Sequence, residues 1–245
     1  MTPALLRIAD PSSPTPSNLL RQAEREVLAS PAPRYGLLAS ALFQTLALVY
    51  GKKPSRELFV VLELVARVPY QAWENVGYVA ISHTHKAPAF AQRVFDYVRE
   101  SRAQQDNEQW HLLITEELAQ AHNPERGWLE FRLIPQLLAL VYYHISWLLY
   151  VLAPELSYAL NADFEDHAER TYMRYVAEHP ELDSLPWRSE LASEYGAYAS
   201  VADVLRRIAL DERVHRDESR ARIEHARFEL SAAPSALSSP RSRPS

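Results

Sequence analysis

The sequence predicts an all-α fold, and three observations lead there. Strand-like alternation of apolar and polar residues is nowhere sustained. No Asn-Gly or Gly-Asn pair marks a two-residue hairpin. Glycine is scarce, five residues in 245, and together with proline it falls mainly where helices should end.

Taken in order, residues 1–33 carry Pro3, Pro11, Pro14, Pro16, Pro31 and Pro33 and read as an irregular arm with one short helix near Leu19–Leu28. Asp10 and two prolines interrupt the short apolar start, so no signal-peptide pattern is expected there. Six helices are predicted over roughly 35–50, 55–84, 88–122, 127–153, 155–179 and 195–229, within a helical domain spanning 34–230. The closing stretch 231–245, SAAPSALSSPRSRPS, is Ser/Pro-rich and predicted to be disordered.

Two long stretches of these helices lack charge. Leu133 to Pro154 (LIPQLLALVYYHISWLLYVLAP) and Tyr35 to Gly51 (YGLLASALFQTLALVYG) contain no Asp, Glu, Lys or Arg. The first is long enough to cross a bilayer and the second is marginal. A pair of soluble core helices, a membrane span and a helix lying in the membrane interface are all compatible with such stretches. Pro135, Gln136, His144 and the aromatic cluster Tyr142, Tyr143, Trp147 and Tyr150 favour the interface.

Composition removes several functions. Hydrophobic residues make up 47% and charged residues 23%, a globular balance. There is no cysteine, hence no disulfide, thiolate metal site or iron–sulfur cluster. A net charge of −5 gives a nucleic-acid partner little support. No Gly-rich phosphate loop and no G-x-S-x-G occurs.

The chemistry lies in carboxylates and histidines. Two Glu-x-x-His pairs, Glu108–His111 and Glu212–His215, each place an oxygen and a nitrogen on one helix face. Chance alone accounts for about one such pair at this composition, so spacing carries the argument. Glu63 precedes Glu108 by 45 residues and Glu165 precedes Glu212 by 47. A lone Glu on one helix followed by Glu-x-x-His on the next therefore occurs twice, which is the ligand pattern of ferritin-like di-iron four-helix bundles. Oxygen and imidazole donors without thiolate suit iron or manganese. Asn107 and Asp211 precede the pairs, one turn from their histidines. They read either as acceptors for the histidines' second N–H or as decoration of a solvated face.

The motifs FVVLELVARVPY (Glu63), NEQWHLLITEEL (Glu108, His111), FEDHAERTY (Glu165) and ALDERVH (Glu212, His215) occur in this order. Together they resemble the alternative oxidases, and more closely their plastid and cyanobacterial branch, the plastoquinol terminal oxidases, over roughly residues 35–228. The resemblance implies a ferritin-like di-iron bundle flanked by two hydrophobic membrane-interface helices. It implies two iron ions per chain held by Glu63, Glu108, His111, Glu165, Glu212 and His215. It also implies a monotopic homodimer bound to lipid at a bacterial or cyanobacterial inner or thylakoid membrane, or a plastid thylakoid. The implied activity is oxidation of a quinol, plastoquinol or ubiquinol, with reduction of dioxygen to water and no proton pumping. A di-iron hydroxylase acting on a quinone precursor is the rival reading; a ferritin-type storage protein is opposed by the uncharged 133–154 stretch.

By the same resemblance Tyr172, two turns after Glu165, is a catalytic phenol supplying an electron and a proton. Leu62, Phe164, Ala168 and Thr171 are carried over as quinol contacts. Leu58 stands where the family has an arginine, with Arg56 and Arg67 the nearest cations. His167, two residues from Glu165, should face away from the metals. His83 and His85 read as a helix end rather than a third metal site, and the arginine-rich run 206–227 as a solvated face or one meeting anionic lipid.

Overall fold

The computed structural model describes residues 10, 13–82, 87–123, 125 and 127–228. The tail at 231–245 and the pair His83 and His85 lie outside the described residues. Within them the chain forms eight α-helices and no strand; the all-α class is the predicted one. The helices are α1 (Ser17–Ala29), α2 (Leu37–Tyr50), α3 (Arg56–Ser82), α4 (Pro88–His122), α5 (Ile134–Leu152), α6 (Pro154–Glu178), α7 (Ala192–Tyr195) and α8 (Val201–Ile223). The single turn of α7 adds to the expected helices.

Two predicted boundaries are corrected. The helix expected over 127–153 begins as a π-helical turn, Leu129–Leu133, that runs into α5. The helix expected from 195 starts only at Val201. Gly196, at φ 108 and ψ 150, closes the single turn of α7 in a backbone region open essentially to glycine alone. Ser200 then caps α8, its hydroxyl accepting from the Asp203 N–H at 3.1 Å. Gly196→Ala is expected to destabilise the fold by about 1–3 kcal/mol, each kcal/mol lowering Tm by roughly 2–4 °C. An unchanged melting curve would contradict this role.

Four long helices make the bundle. α3 packs along α4, α6 packs along α8, and α3 meets α6 across the middle. Leu62, Val65, Ile114, Phe164, Met173, Leu205 and Ile208 fill the space between them. At Gly77 the α3–α4 approach is so close that a Cβ would lie 2.5 Å from a Val98 methyl. α1 docks on α6 and α8 through Leu20, Ala23 and Val27.

The two uncharged helices lie outside the bundle. α5 runs against α3 and α6, burying Tyr142, Ser146 and Tyr150 at four-residue spacing, one helical face. Its opposite face exposes Leu137, Leu140, Val141, Ile145, Leu148 and Val151. α2 packs on α6 and leaves Leu37 and Leu48 almost fully exposed, at 91% and 86%.

The arginine-rich run is only partly a solvated face. Arg206 and Arg207 are buried. Arg206 pairs with Glu24, Asp183 and Asp203. Arg213 and Arg216 reach the buried carboxylate of Glu169 on α6. Buried carboxylates on neighbouring elements demand these partners, which periodicity along α8 alone does not show. Arg220 and Arg227 remain largely exposed.

Candidate metal centre

The bundle brings the six predicted ligands into one dry space. Glu63 comes from α3, Glu108 and His111 from α4, Glu165 from α6, and Glu212 and His215 from α8; none is more than 1% exposed. They form two overlapping groups, Glu63–Glu108–His111–Glu212 and Glu108–Glu165–Glu212–His215. Within each group the donor atoms lie within 4.8 Å of one another. Glu108 and Glu212 belong to both groups, the position of bridging carboxylates, while Glu63 and Glu165 sit at opposite ends. His111 Nδ1 is 2.9 Å from Glu212 Oε1 and 3.4 Å from Glu63 Oε2. His215 Nδ1 is 2.6 Å from Glu108 Oε1.

These donors fit two cations. Both oxygens of Glu108 and of Glu212, one each of Glu63 and Glu165, and both Nδ1 atoms are buried without a hydrogen-bond partner. Burying so many unsatisfied groups is costly unless something charged meets them. Four carboxylates with neutral imidazoles carry the charge that two divalent ions balance. The crowding of like charge shows in the carboxylates themselves. Burial, and next the Glu212 charge, raise Glu63 and Glu165 well above the ordinary carboxylate range. Burial opposes ionisation of Glu108 too, but the His215 and His111 imidazoles hold it below that range.

Around the donors the structure departs from expectation in both supporting pairings, Asn107 with His111 and Asp211 with His215. Asp211 serves His111 across the bundle, at 3.3 Å from its Nε2, rather than the His215 on its own helix. Because His111 turns Nδ1 toward the carboxylates, its Nε2 points outward to α8. Tyr195 from α7 donates to Asp211 at 2.6 Å and lies 3.2 Å from His111 Nε2. Arg207 pairs with the other Asp211 oxygen. Asn107 is buried rather than on a solvated face, but its Oδ1 and His215 Nε2 both lack a hydrogen-bond partner.

Two tyrosines cross-brace the end carboxylates. Tyr172 on α6 donates to Glu63 on α3, not to Glu165 on its own helix. Tyr70 on α3 donates to Glu165 on α6 at 2.7 Å. Asn161 donates to the Tyr70 oxygen at 2.9 Å and to Ser219 at 3.1 Å, so the single Tyr70 proton is directed at Glu165. Sequence reasoning missed Tyr70, although it stands seven residues after Glu63 just as Tyr172 stands seven after Glu165. Tyr195 and Arg207 were missed as well; no spacing signals a tyrosine from a one-turn helix, whereas Arg207 sits one turn before Asp211.

Beside the centre, a cavity of about 250 Å³ opens between α2, α3 and α6. Leu62 and Thr171 line it, with Leu58, Phe43 and His167. Phe164 and Ala168 are buried but do not line it; Phe164 packs behind Phe43, ring centroids 6.1 Å apart. His167 faces this cavity, as expected of a residue turned from the metals, and stacks on Phe43 at 4.0 Å. Burial lowers its pKa to about 4, so it is neutral at physiological pH. The cations at the cavity are Lys52 and Arg174. Arg56 and Arg67 are engaged elsewhere, with Tyr175 and Gln109.

Comparison with known proteins adds two findings. A sequence profile described as alternative oxidase matches residues 42–222. Ubiquinol oxidase 4, chloroplastic/chromoplastic, of Arabidopsis thaliana is 34% identical over 129 residues, covering 52% of this chain and 34% of that protein. The alignment thus spans about a third of the relative's length.

Proposed function

The chain belongs to the alternative oxidase family, and from that premise we propose that it is a membrane-bound di-iron quinol oxidase that reduces dioxygen to water. The observation that carries the reading is the buried set of four glutamates and two histidines with their donor atoms converging. Glu63, Glu108, His111, Glu165, Glu212 and His215 are the residues that would hold two irons. Bound there, iron supplies the capacity to accept electrons singly from quinol and deliver four of them to dioxygen. Two quinols give two quinones, four electrons and four protons, which convert one dioxygen to two waters.

The chain's own groups would bind and orient the quinol. The cavity beside Leu62 and Thr171 offers an apolar wall for a ring, and neutral His167 an acceptor for a phenolic O–H. Lys52 and Arg174 stand at the cavity in place of the cation lost at Leu58. Tyr172, next in the chain to Thr171, is buried with its hydroxyl on Glu63, from where it would pass an electron and a proton between quinol and centre.

The exposed faces of α2 and α5 support membrane attachment. Leu129–Leu152 is long and apolar enough to cross a bilayer, and its apolar stretch is mostly not buried within the protein. α5 lies against a bundle whose helices α4 and α8 carry many charges, so its free face suits lipid met in the plane of the membrane. α2 spans about 21 Å, short of the roughly 30 Å hydrocarbon core. The protein is expected to co-sediment with liposomes, and a double Leu140→Asp, Leu148→Asp variant to stay in the supernatant with unchanged helicity. Binding by that variant as tight as the parent's would contradict the assignment of this face. Catalysis is tested by oxygen uptake from iron-loaded protein with a soluble quinol analogue.

A further inference from the structure

A second hydrophobic cluster stands apart from the main core, and its composition is unusual. Its buried members are Tyr70, Trp73, Tyr150, Tyr158 and Ala226, so four of the five are side chains that can be oxidised by one electron. The cluster begins at the metal centre, where the Tyr70 hydroxyl touches Glu165. From there the rings are in contact outward. Tyr70 meets Trp73 edge-on at 5.3 Å. Trp73 lies 4.5 Å from Tyr158 and 5.5 Å from Tyr150, and the last two share a hydrogen bond of 2.9 Å. Trp73 and Tyr158 line a crevice together with half-buried Tyr97, whose ring carries the Arg222 guanidinium at 4.1 Å.

Other sides of the centre are less continuous among the described residues: beyond His111 and Tyr195, Tyr198 and Trp187 follow at wider ring separations of 6.2 Å, and beside Glu63 the series is broken by a phenyl ring. There Tyr172 stacks on Phe59 at 4.0 Å, and Phe59 separates it from Tyr175. A phenyl ring is far harder to oxidise than a phenol or an indole. Among the described residues Tyr172 therefore meets Phe59 and no oxidisable ring in contact, while Tyr70 has a route outward. Packing alone is satisfied by aliphatic side chains, as in much of the main core, and does not require an oxidisable ring at each successive contact.

We propose that Tyr70, Trp73 and Tyr158, with Tyr150 as hydrogen-bond partner, form an electron relay that discharges the centre when dioxygen has been engaged with too few quinol electrons. This rests on the di-iron reading above. Tyr70 passes one electron to the centre and its hydroxyl proton to Glu165. Trp73 returns an electron to Tyr70, which takes the proton back. Tyr158 then reduces the Trp73 ring, its own proton leaving to solvent at the crevice it lines, and is restored with a proton from solvent through Tyr97 by a one-electron donor in solution such as ascorbate or a thiol. The net change is one electron gained by the centre and one lost by the external donor.

The test uses full-length, iron-loaded protein and two conservative variants, Trp73→Phe and Tyr158→Phe. With saturating quinol both should turn over near the parent rate. The second experiment mixes the reduced proteins with dioxygen in the absence of quinol and freeze-quenches them for EPR, with ring-deuterated tyrosine or tryptophan to assign the radical. The parent should show radical character on tryptophan and on tyrosines beyond it. Trp73→Phe should confine the radical to Tyr70 and lengthen its life. At limiting quinol both variants should inactivate several-fold faster per turnover, and ascorbate should protect the parent but not Trp73→Phe. Radical spectra and inactivation identical to the parent in both variants would overturn the relay while leaving the oxidase reading intact. Failure of the parent to bind iron would overturn both.

Discussion

Glu108→Ala is expected to abolish oxygen uptake and to leave the purified protein with far less iron than two per chain. Glu108 belongs to both donor groups, and both its oxygens are buried without a hydrogen-bond partner. Its removal takes a bridging carboxylate from each prospective ion and leaves His215 Nδ1, 2.6 Å from it, without its nearest anion. A graded comparison separates ligand from support. Asp211→Asn keeps the side-chain shape but weakens the network on His111 formed with Tyr195 and Arg207. Changes to such supporting partners cost about 10–100-fold in metal affinity or activity, so iron should be weakened rather than lost. Iron per chain by elemental analysis, measured beside helicity, reads both. Full iron occupancy and activity in Glu108→Ala would remove the metal assignment.

Tyr172→Phe is expected to slow quinol oxidation by at least about tenfold, equal to roughly 1.4 kcal/mol in barrier, while iron content and fold stay close to normal. The ring is fully buried and stacked on Phe59, contacts that phenylalanine retains. What disappears is the hydroxyl that donates to Glu63. Burial, and then the Glu63 charge, hold that phenol well above its ordinary pKa, so it stays protonated and able to donate. Oxygen uptake, iron and helicity measured on one preparation decide the matter. A variant turning over at the parent rate would reduce Tyr172 to packing, and one that also loses iron would make its role structural.

Much of this arrangement is legible in the sequence because it depends on periodicity and order along single helices. Three-residue spacing places Glu108 with His111 and Glu212 with His215 on helix faces, and the separations of 45 and 47 residues put Glu63 and Glu165 on the helices before them. What escapes is relations between elements. Tyr172 aligns with Glu165 along α6 yet bonds Glu63, and Asp211 aligns with His215 along α8 yet serves His111. Both crossings follow from side chains pointing across the bundle axis, which no spacing within one helix encodes. The late start of α8 escapes for a different reason. Residues 195–200 carry helix-compatible neighbours, and the backbone at Gly196 and the extended Ser200 cap interrupt them.

The most direct measurement is the ratio of quinol oxidised to dioxygen consumed by iron-loaded protein, with labelled dioxygen and analysis of the product. The account predicts two quinols per dioxygen, the label in water only, and a quinone with no added oxygen atom. A labelled oxygen in the product, as a hydroxylase acting on a quinone precursor would leave, would contradict it.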